Sequence, residues 1–211
     1  MSTTQRRARE KEYRRRSILD AARAAFFESG FQLATVDDVA ARAEVSKGTV
    51  YLYFESKETI LAHLLLEGLG ELVAALEAAY AAERDIAPSE RLRRLAMGYL
   101  NFFQGNPHYY RLIMAFDRGQ FQQAVPPDLY EQVLTRSLRG FHYVIQAVQE
   151  GVEEGTFDAG EPRQAAASLW AALNGVLVLL GHPLRREVVA SDLESLYWAT
   201  FDMMLRGLRK R

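Results

Sequence analysis

Thr35, Ser46 and Ser56 each stand directly before a run of helical character, only about ten residues apart. A serine or threonine hydroxyl at that position accepts a hydrogen bond from the first free N–H groups of a helix. The repetition divides residues 36–54 into two helices of about two turns each, separated by the tight turn "AEV" from Ala43 to Val45. A preceding helix carries Ile18, Ala22, Ala25 and Phe26 at helical spacing and ends at "ESGF", with Gly30 as its C-cap. Helices this short need a shared core. Ile18, Ala22, Phe26, Phe31, Val36, Val39, Ala40, Val45, Val50 and Phe54 supply one. Two helices joined by a turn of three or four residues, braced by a third, have the spacing of a helix-turn-helix.

The segment "VSKGTVYLYF", residues 45–54, is where this reading has consequences. As a core strand it would alternate Val50, Leu52 and Phe54 with Tyr51 and Tyr53. As a helix it buries Val50 and Phe54, four residues apart, on one face. Lys47, Thr49, Tyr51, Leu52 and Tyr53 then point outward. The caps favour the helix. Its outward face suits nucleic acid. Ser46 and the first N–H groups form a positive dipole end that favours phosphate, and Gly48 lets a backbone approach. Lys47 can donate to guanine or phosphate and Thr49 can touch a thymine methyl, while tyrosine hydroxyls reach phosphate oxygens.

Charge distribution adds a second signal. Residues 1–16 hold Arg6, Arg7, Arg9, Lys11, Arg14, Arg15 and Arg16 against Glu10 and Glu12, although the whole chain of 211 residues has net charge −1. A basic arm on a near-neutral body fits a local polyanion contact, and a solvated, frayed terminus is the plain alternative. The chain has no cysteine, which excludes disulfides and thiolate chemistry and fits a reducing cytoplasm. No apolar N-terminal core marks a signal peptide. The longest apolar run, "AAASLWAALNGVLVLLG" from Ala165 to Gly181, falls short of a bilayer span and reads as an interface helix, so no membrane is expected.

Beyond Ser56 the pattern stays helical. "KETILAHLLLEGLGELVAALEAAY" is one long amphipathic helix; the next starts near Pro88 and breaks at "QGNPH". "HYYRLIMAF" is a short aromatic helix, "DRGQFQQAVPP" a loop, and Pro127 opens a helix reaching about Gly155. Glu161 and Pro162 open the apolar run, His182 and Pro183 end it, and a last helix runs from about Glu187 to Leu208. The expectation is an all-α protein of about nine helices. It divides into an arm and helix-turn-helix domain over 1–55 and a ligand-binding and dimerisation domain over 56–211.

Thr35 to Leu61, "TVDDVAARAEVSKGTVYLYFESKETIL", resembles the DNA-binding signature of the tetracycline-repressor (TetR) family of bacterial regulators, including its Tyr–x–x–Phe–x–x–Lys–Glu run. The specific likeness covers about residues 12–66. It implies a phosphate contact for Tyr51, groove-facing positions for Leu52 and Tyr53, and a phosphate-binding role for Lys57. Leu52 stands where relatives commonly carry an aromatic residue, and Tyr53 where many carry histidine. With Arg6, Arg7, Thr35, Ser46, Lys47, Gly48 and Thr49, these residues make up the expected DNA-contacting set. "EEGTFDAGEPRQAAASLWAALNGVLVLL" resembles the family's penultimate helix and the loop before it. That likeness implies a homodimer in which the last two helices form a four-helix bundle with their twins, and an effector pocket among the middle helices.

The small residues Ala165, Ala166, Ala172 and Gly175 permit close helix approach, and Leu193, Leu196, Tyr197, Phe201, Met204 and Leu208 form an apolar stripe. Both stripes read as dimer interface, with intramolecular core as the alternative. Tyr99, Phe102, Phe103, His108, Tyr110 and Met114, joined by Phe141, His142, Trp170 and Asn174, could line a pocket for a mainly apolar or aromatic ligand; ordinary core is the competing reading. Asn174, polar within an apolar run, needs a partner if buried: a ligand, a water or its own twin. His63 and Glu67, four apart, could share a metal, but no second pair accompanies them, so no metal and no cofactor are expected. No spacing marks a nucleophile. The resulting expectation is a cytoplasmic, homodimeric repressor, not an enzyme, bound to a palindromic operator in double-stranded DNA and released by a small effector. A ligand-free helix-turn-helix protein and an all-α enzyme with a basic arm are the alternatives.

Overall fold

The computed structural model describes residues 3–83, 85–116 and 121–210. Among these the chain forms eleven α-helices: α1 (Thr3–Ser29), α2 (Val36–Arg42), α3 (Lys47–Tyr53), α4 (Lys57–Ala81), α5 (Pro88–Gly105), α6 (Pro107–Phe116), α7 (Phe121–Ala124), α8 (Pro127–Glu153), α9 (Pro162–Leu180), α10 (Pro183–Val189) and α11 (Leu193–Leu208). Residues 117–120 of the expected loop lie outside the described residues. Two helices exceed the nine expected. Four residues of that loop, Phe121–Ala124, are helical. The expected last helix is two: α10 ends at Ala190, held in the left-handed region at φ 51°, and α11 starts afresh with Asp192 accepting from the Ser195 N–H at 2.8 Å.

The three expected hydroxyl caps are in place. Thr35 and Asp38 form a reciprocal capping box on α2, Asp38 N–H donating to Thr35 Oγ1 at 3.2 Å and Thr35 N–H to Asp38 Oδ2 at 2.8 Å. The Thr35 side-chain hydrogen bond holds the exposed Asp38 carboxyl below its ordinary pKa. Ser46 accepts from Thr49 N–H at 3.1 Å, and Ser56 from Thr59 N–H at 3.0 Å. The turn between α2 and α3 passes through Glu44 at φ 54°, and the Val45 N–H returns to the Ala40 carbonyl.

The chain divides into two compact units. One comprises Met1–Gly70 with Asn106–Arg136; the other comprises Glu71–Gly105 with Ser137–Arg211. This division does not fall at residue 55: the first half of α4, with α6, α7 and the start of α8, belongs to the unit that holds the helix-turn-helix. Within that unit Ile18, Ala22, Phe26, Val39, Val50 and Phe54 are buried together with Ile60, Leu61 and Leu64 of α4. Phe31 and Val45 are half-buried at the margin. Helix α6 is fastened to the end of α1. The His108 ring stacks on Phe27 at 4.7 Å, Tyr109 meets the same ring edge-on, and Arg111 donates to the Phe27 carbonyl at 3.2 Å. Gly68 is required here, since a Cβ would come within 2.7 Å of the Tyr109 ring.

In the second unit α11 packs against α9 and α5. Tyr197 and Phe201 are fully buried, and the Tyr197 hydroxyl donates to the Ala96 carbonyl at 2.8 Å. Arg91, also buried, donates to the Tyr80 and Glu83 carbonyls and pairs with Glu150 at 2.8 Å. Burial, and then a hydrogen bond to Glu150, push the Tyr80 hydroxyl up to about 12. The chain after α8 folds back to α11 through one isolated bridge between Phe157 and Arg209. Helices α4 and α9 are each long and apolar enough, by composition, to cross a membrane; the most apolar window is 56% buried in α4 and 33% in α9.

Candidate nucleic-acid interface

Helix α3 is anchored from beneath and open above. Val50 is 0% and Phe54 1% exposed, whereas Tyr51 is 46% and Leu52 81% exposed. An exposed leucine beside an exposed tyrosine on a two-turn helix has no packing function within the chain. Lys47 and Gly48 are exposed as well, but Thr49 and Tyr53 are half-buried and present only part of their surface. Gly48 has no internal reason to be glycine: its φ is ordinary, and a Cβ there would meet only Ser46 Oγ, at 3.8 Å.

The two lysines of this region are held in place by the fold. Lys47 Nζ reaches Asp37 at 2.7 Å across the helix-turn-helix, which raises the Lys47 pKa through that hydrogen bond and the charge behind it. Lys57 donates to the Phe31 carbonyl at 2.9 Å and the Ala34 carbonyl at 3.0 Å, with its ammonium over the Phe31 ring. It thus closes the loop between α1 and α2, and an ammonium with three protons keeps one for an outside acceptor. No local pattern in the sequence announces this carbonyl-binding role. Arg6 pairs with Glu10 at 3.1 Å, while Arg7 is exposed. Thr35 and Ser46 use their hydroxyls on the caps already described.

His63 and Glu67 have partners other than a metal. The Arg15 guanidinium lies 3.1–3.2 Å from both nitrogens of the His63 ring, and the Phe54 ring meets His63 edge-on. Burial and then the Arg15 charge push the His63 pKa down, favouring a neutral ring. Glu67 accepts from Arg23 at 2.8 Å and from the Tyr109 hydroxyl at 3.2 Å. Burial opposes the Arg23 charge, but its bonds to Glu67 and Asp20 more than compensate and raise its pKa.

The expected ligand residues are divided between the units. In the second unit the Tyr99 hydroxyl donates to Asn174 Oδ1 at 3.0 Å, which supplies a protein partner for that asparagine within its apolar helix. Phe141 and Trp170 rings lie 6.1 Å apart, Phe102 is buried, Phe103 half-buried and His142 exposed. In the first unit His108 is committed to the Phe27 stack, Tyr110 is buried and Met114 half-buried. Of the expected dimer residues, Ala165, Tyr197 and Phe201 are consumed in the chain's own core, because α11 lies against α9 and α5. Ala172, Leu193, Leu196 and Met204 are half-buried, and Gly175 is exposed. The open apolar surface of α9 and α11 is carried by residues the stripe did not include: Trp170, Val178 and Met203 at 64% exposed.

A braced pair of short helices with an outward polar and aromatic face defines a helix-turn-helix DNA-binding protein. Comparison with known proteins identifies which kind. Residues 18–64 match the model of the bacterial regulatory proteins of the tetR family, and residues 92–206 match the tetracyclin repressor-like C-terminal domain. The chain belongs to the TetR family and is a transcription regulator, not an enzyme. It is 25% identical over 144 residues to the fatty acid metabolism regulator protein of Bacillus subtilis, covering 68% of this chain and 70% of that one. The TetR family regulator PfmR from Thermus thermophilus superposes with a TM-score of 0.68 at 26% identity, over 92% of this chain and 99% of that one. FadR from Bacillus subtilis, solved in complex with stearoyl-CoA, shares the fold with a TM-score of 0.69 at 20% identity, over 92% and 98% of the two chains. Regulators of this family are soluble DNA-binding proteins that also bind small-molecule effectors, typically as dimers.

Lys57→Ala should lower the stability of the whole chain by about 1.5–3 kcal/mol, because it strips a charged donor from two loop carbonyls. Urea denaturation measures this. An unchanged midpoint would mean that Lys57 is free for DNA alone.

Proposed function

We propose that this protein is a cytoplasmic repressor that binds a palindromic operator as a homodimer and releases it when a small, mainly apolar effector binds. The observation that carries the DNA half is the exposed face of α3, with Tyr51 and Leu52 open to solvent over a buried Val50 and Phe54. In this reading Tyr51, Lys57, Arg6 and Arg7 contact phosphates, while Lys47 and Leu52 face the bases with Gly48 allowing close approach. To reach a guanine, Lys47 must exchange Asp37 for the base. Tyr51→Phe should weaken binding to all sequences alike, since phosphate contacts carry no sequence information. Lys47→Ala should change base preference by about 1–3 kcal/mol at one position. Selection from a random duplex pool followed by anisotropy titration reads both. Unchanged affinity in Tyr51→Phe, with unaltered selection in Lys47→Ala, would remove this docking mode.

The dimer half rests on the apolar surface left open on α9 and α11. A twofold copy seated on Trp170, Gly175, Val178 and Met203 would bury what the chain leaves uncovered, and would present two copies of α3 about 34–36 Å apart, one turn of DNA, or a multiple. Val178→Asp buries an unpaired charge in that contact and should yield a monomer that stays folded. Light scattering at micromolar concentration checks this; a wild-type monomer would count against the homodimer.

The effector half is supported by the aromatic and aliphatic character of residues 99–114 and by relatives named for fatty acid metabolism. A fatty acyl compound is the ligand class we favour. Helix α4 belongs to the helix-turn-helix unit through its first turns and to the other unit beyond Gly70, so a change along it can be felt at α3. Release requires the effector to bind the DNA-incompetent arrangement more tightly, because only differential affinity shifts the equilibrium. Titrating free fatty acids, acyl-CoA thioesters and aromatic acids into the selected protein–DNA complex should release DNA with the acyl compounds. Phe103→Ala should shift the half-point while leaving ligand-free DNA affinity within a few-fold. If no compound releases DNA, the ligand-free reading replaces this one.

A further inference from the structure

The arm of the chain is a continuation of α1, helical from Thr3 onward, and residues 3–14 are all exposed. Its charges follow the helix's own register. Positions 7, 11, 14, 18, 22 and 25 recur at spacings of three and four, so they share one stripe of the helix. The C-terminal half of that stripe is Ile18, Ala22 and Ala25, buried in the helix-turn-helix core. The N-terminal half is Arg7, Lys11 and Arg14. One face therefore changes from cationic to apolar at the point where α1 enters the domain.

The other charges of the arm are arranged differently. Arg6, Arg9 and Arg16 lie off this stripe. Glu10 is paired with Arg6 at 3.1 Å, and Glu12 lies 3.9 Å from Arg16. Among the described residues no carboxylate is paired with Arg7, Lys11 or Arg14. The arm also leaves from a defined place. Arg15 stacks its guanidinium over the ring of Phe54, 5.3 Å from its centroid, and Phe54 is the C-cap of α3 and follows Tyr53 directly. The cationic stripe thus ends one residue before Arg15, the residue that touches the cap of α3.

We infer that Arg7, Lys11 and Arg14 form a rigid phosphate-binding rail that extends the footprint beyond the segment read by α3, onto the backbone of the flanking DNA. This rests on the DNA-binding reading above and adds which face of the arm is used and for what. At a rise of about 1.5 Å per residue the three cations span roughly 10 Å, the axial length of about three successive phosphates on one strand. Because the arm is already helical, few backbone torsions remain to be fixed on binding, unlike a disordered basic tail. The rail reads no bases, so its contribution is the same on any duplex.

The test compares two variants of equal charge on a duplex of about 30 base pairs of random sequence. Lys11→Ala/Arg14→Ala removes two stripe cations, and Arg9→Ala/Arg16→Ala removes two that lie off it. Each neutralised phosphate contributes about 0.9 to the slope of log affinity against log salt. The stripe variant should therefore lose about 1.8 of slope per chain, or about 3.6 for the dimer, so that the wild-type dimer loses on the order of 150-fold more affinity than it between about 50 and 200 mM salt. The off-stripe variant should keep the wild-type slope within about 0.5, with circular dichroism confirming equal helicity in both. Equal losses in the two variants would overturn the rail, because the arm would then act as a diffuse charge. Unchanged slopes in both would overturn it too, because the arm would not touch DNA. A folded wild type that binds no duplex even at low salt would instead remove the DNA-binding reading itself.

Discussion

Burial of Val50 and Phe54, one turn apart on α3 and its cap, is the contact on which the functional surface depends. With those two side chains at 0% and 1% exposure, the orientation of every other residue of a two-turn helix is decided. Tyr51 and Leu52 are carried outward, and Gly48 is left with nothing of the chain above it. The same burial ties α3 to its neighbours. Phe54 is met by the Arg15 guanidinium of α1 and by the His63 ring of α4, so the end of the reading helix is clasped by both helices that brace it. A neutral His63, kept so by burial and by Arg15, is the form that tolerates a guanidinium against its ring. Reading helix, arm and long helix thus meet around one phenylalanine.

Electrostatics on this surface is a matter of restraint. The two lysines of the helix-turn-helix signature both have partners within the chain, Lys47 in Asp37 and Lys57 in two carbonyls of the α1–α2 loop. Exposed ion pairs contribute little to stability, so the Lys47–Asp37 pair can open at small cost. Carbonyls held by Lys57 are a different matter, since removing their donor leaves them without a partner. One lysine is parked and the other is built in, although both belong to the same sequence motif.

The second unit has a comparable division between what the chain uses for itself and what it leaves open. Tyr197 and Phe201 are drawn inward by packing on α5 and α9, and the Tyr197 hydroxyl is satisfied by the Ala96 carbonyl. The buried Arg91 is satisfied by Glu150 and two carbonyls, which fastens the end of α4 to α5 and α8. What α9 and α11 leave exposed includes the apolar Trp170, Val178 and Met203. The most apolar window of α9 is only one-third buried within the chain.

Caps, most breaks and the outward face of α3 were legible in the sequence because each is local. Thr35, Ser46 and Ser56 cap by bonds to residues three positions on, Gly30 supplies a left-handed C-cap at φ 78°, and a spacing of four puts Val50 and Phe54 together in any helix. Nothing beyond the neighbouring turn is needed to read them. The break at Ala190 was not legible, because alanine in the left-handed region carries no sequence signal and is imposed by the new cap at Asp192. Nor could periodicity say which flank of α9 and α11 faces inward. An apolar stripe shows that a face is buried, not whether α5 or a second chain buries it, and this is why Tyr197 and Phe201 lie in the core while Val178 and Met203 remain outside. The partners of Lys57, His63 and Glu67 were equally out of reach. Sequence by itself determined the helices, most of their ends and the outward face of α3, since hydrogen bonds and side-chain spacing within a few residues fix them. Only the tertiary structure decided which charges are held and which apolar faces are spent, since those depend on residues far apart in the chain meeting in space.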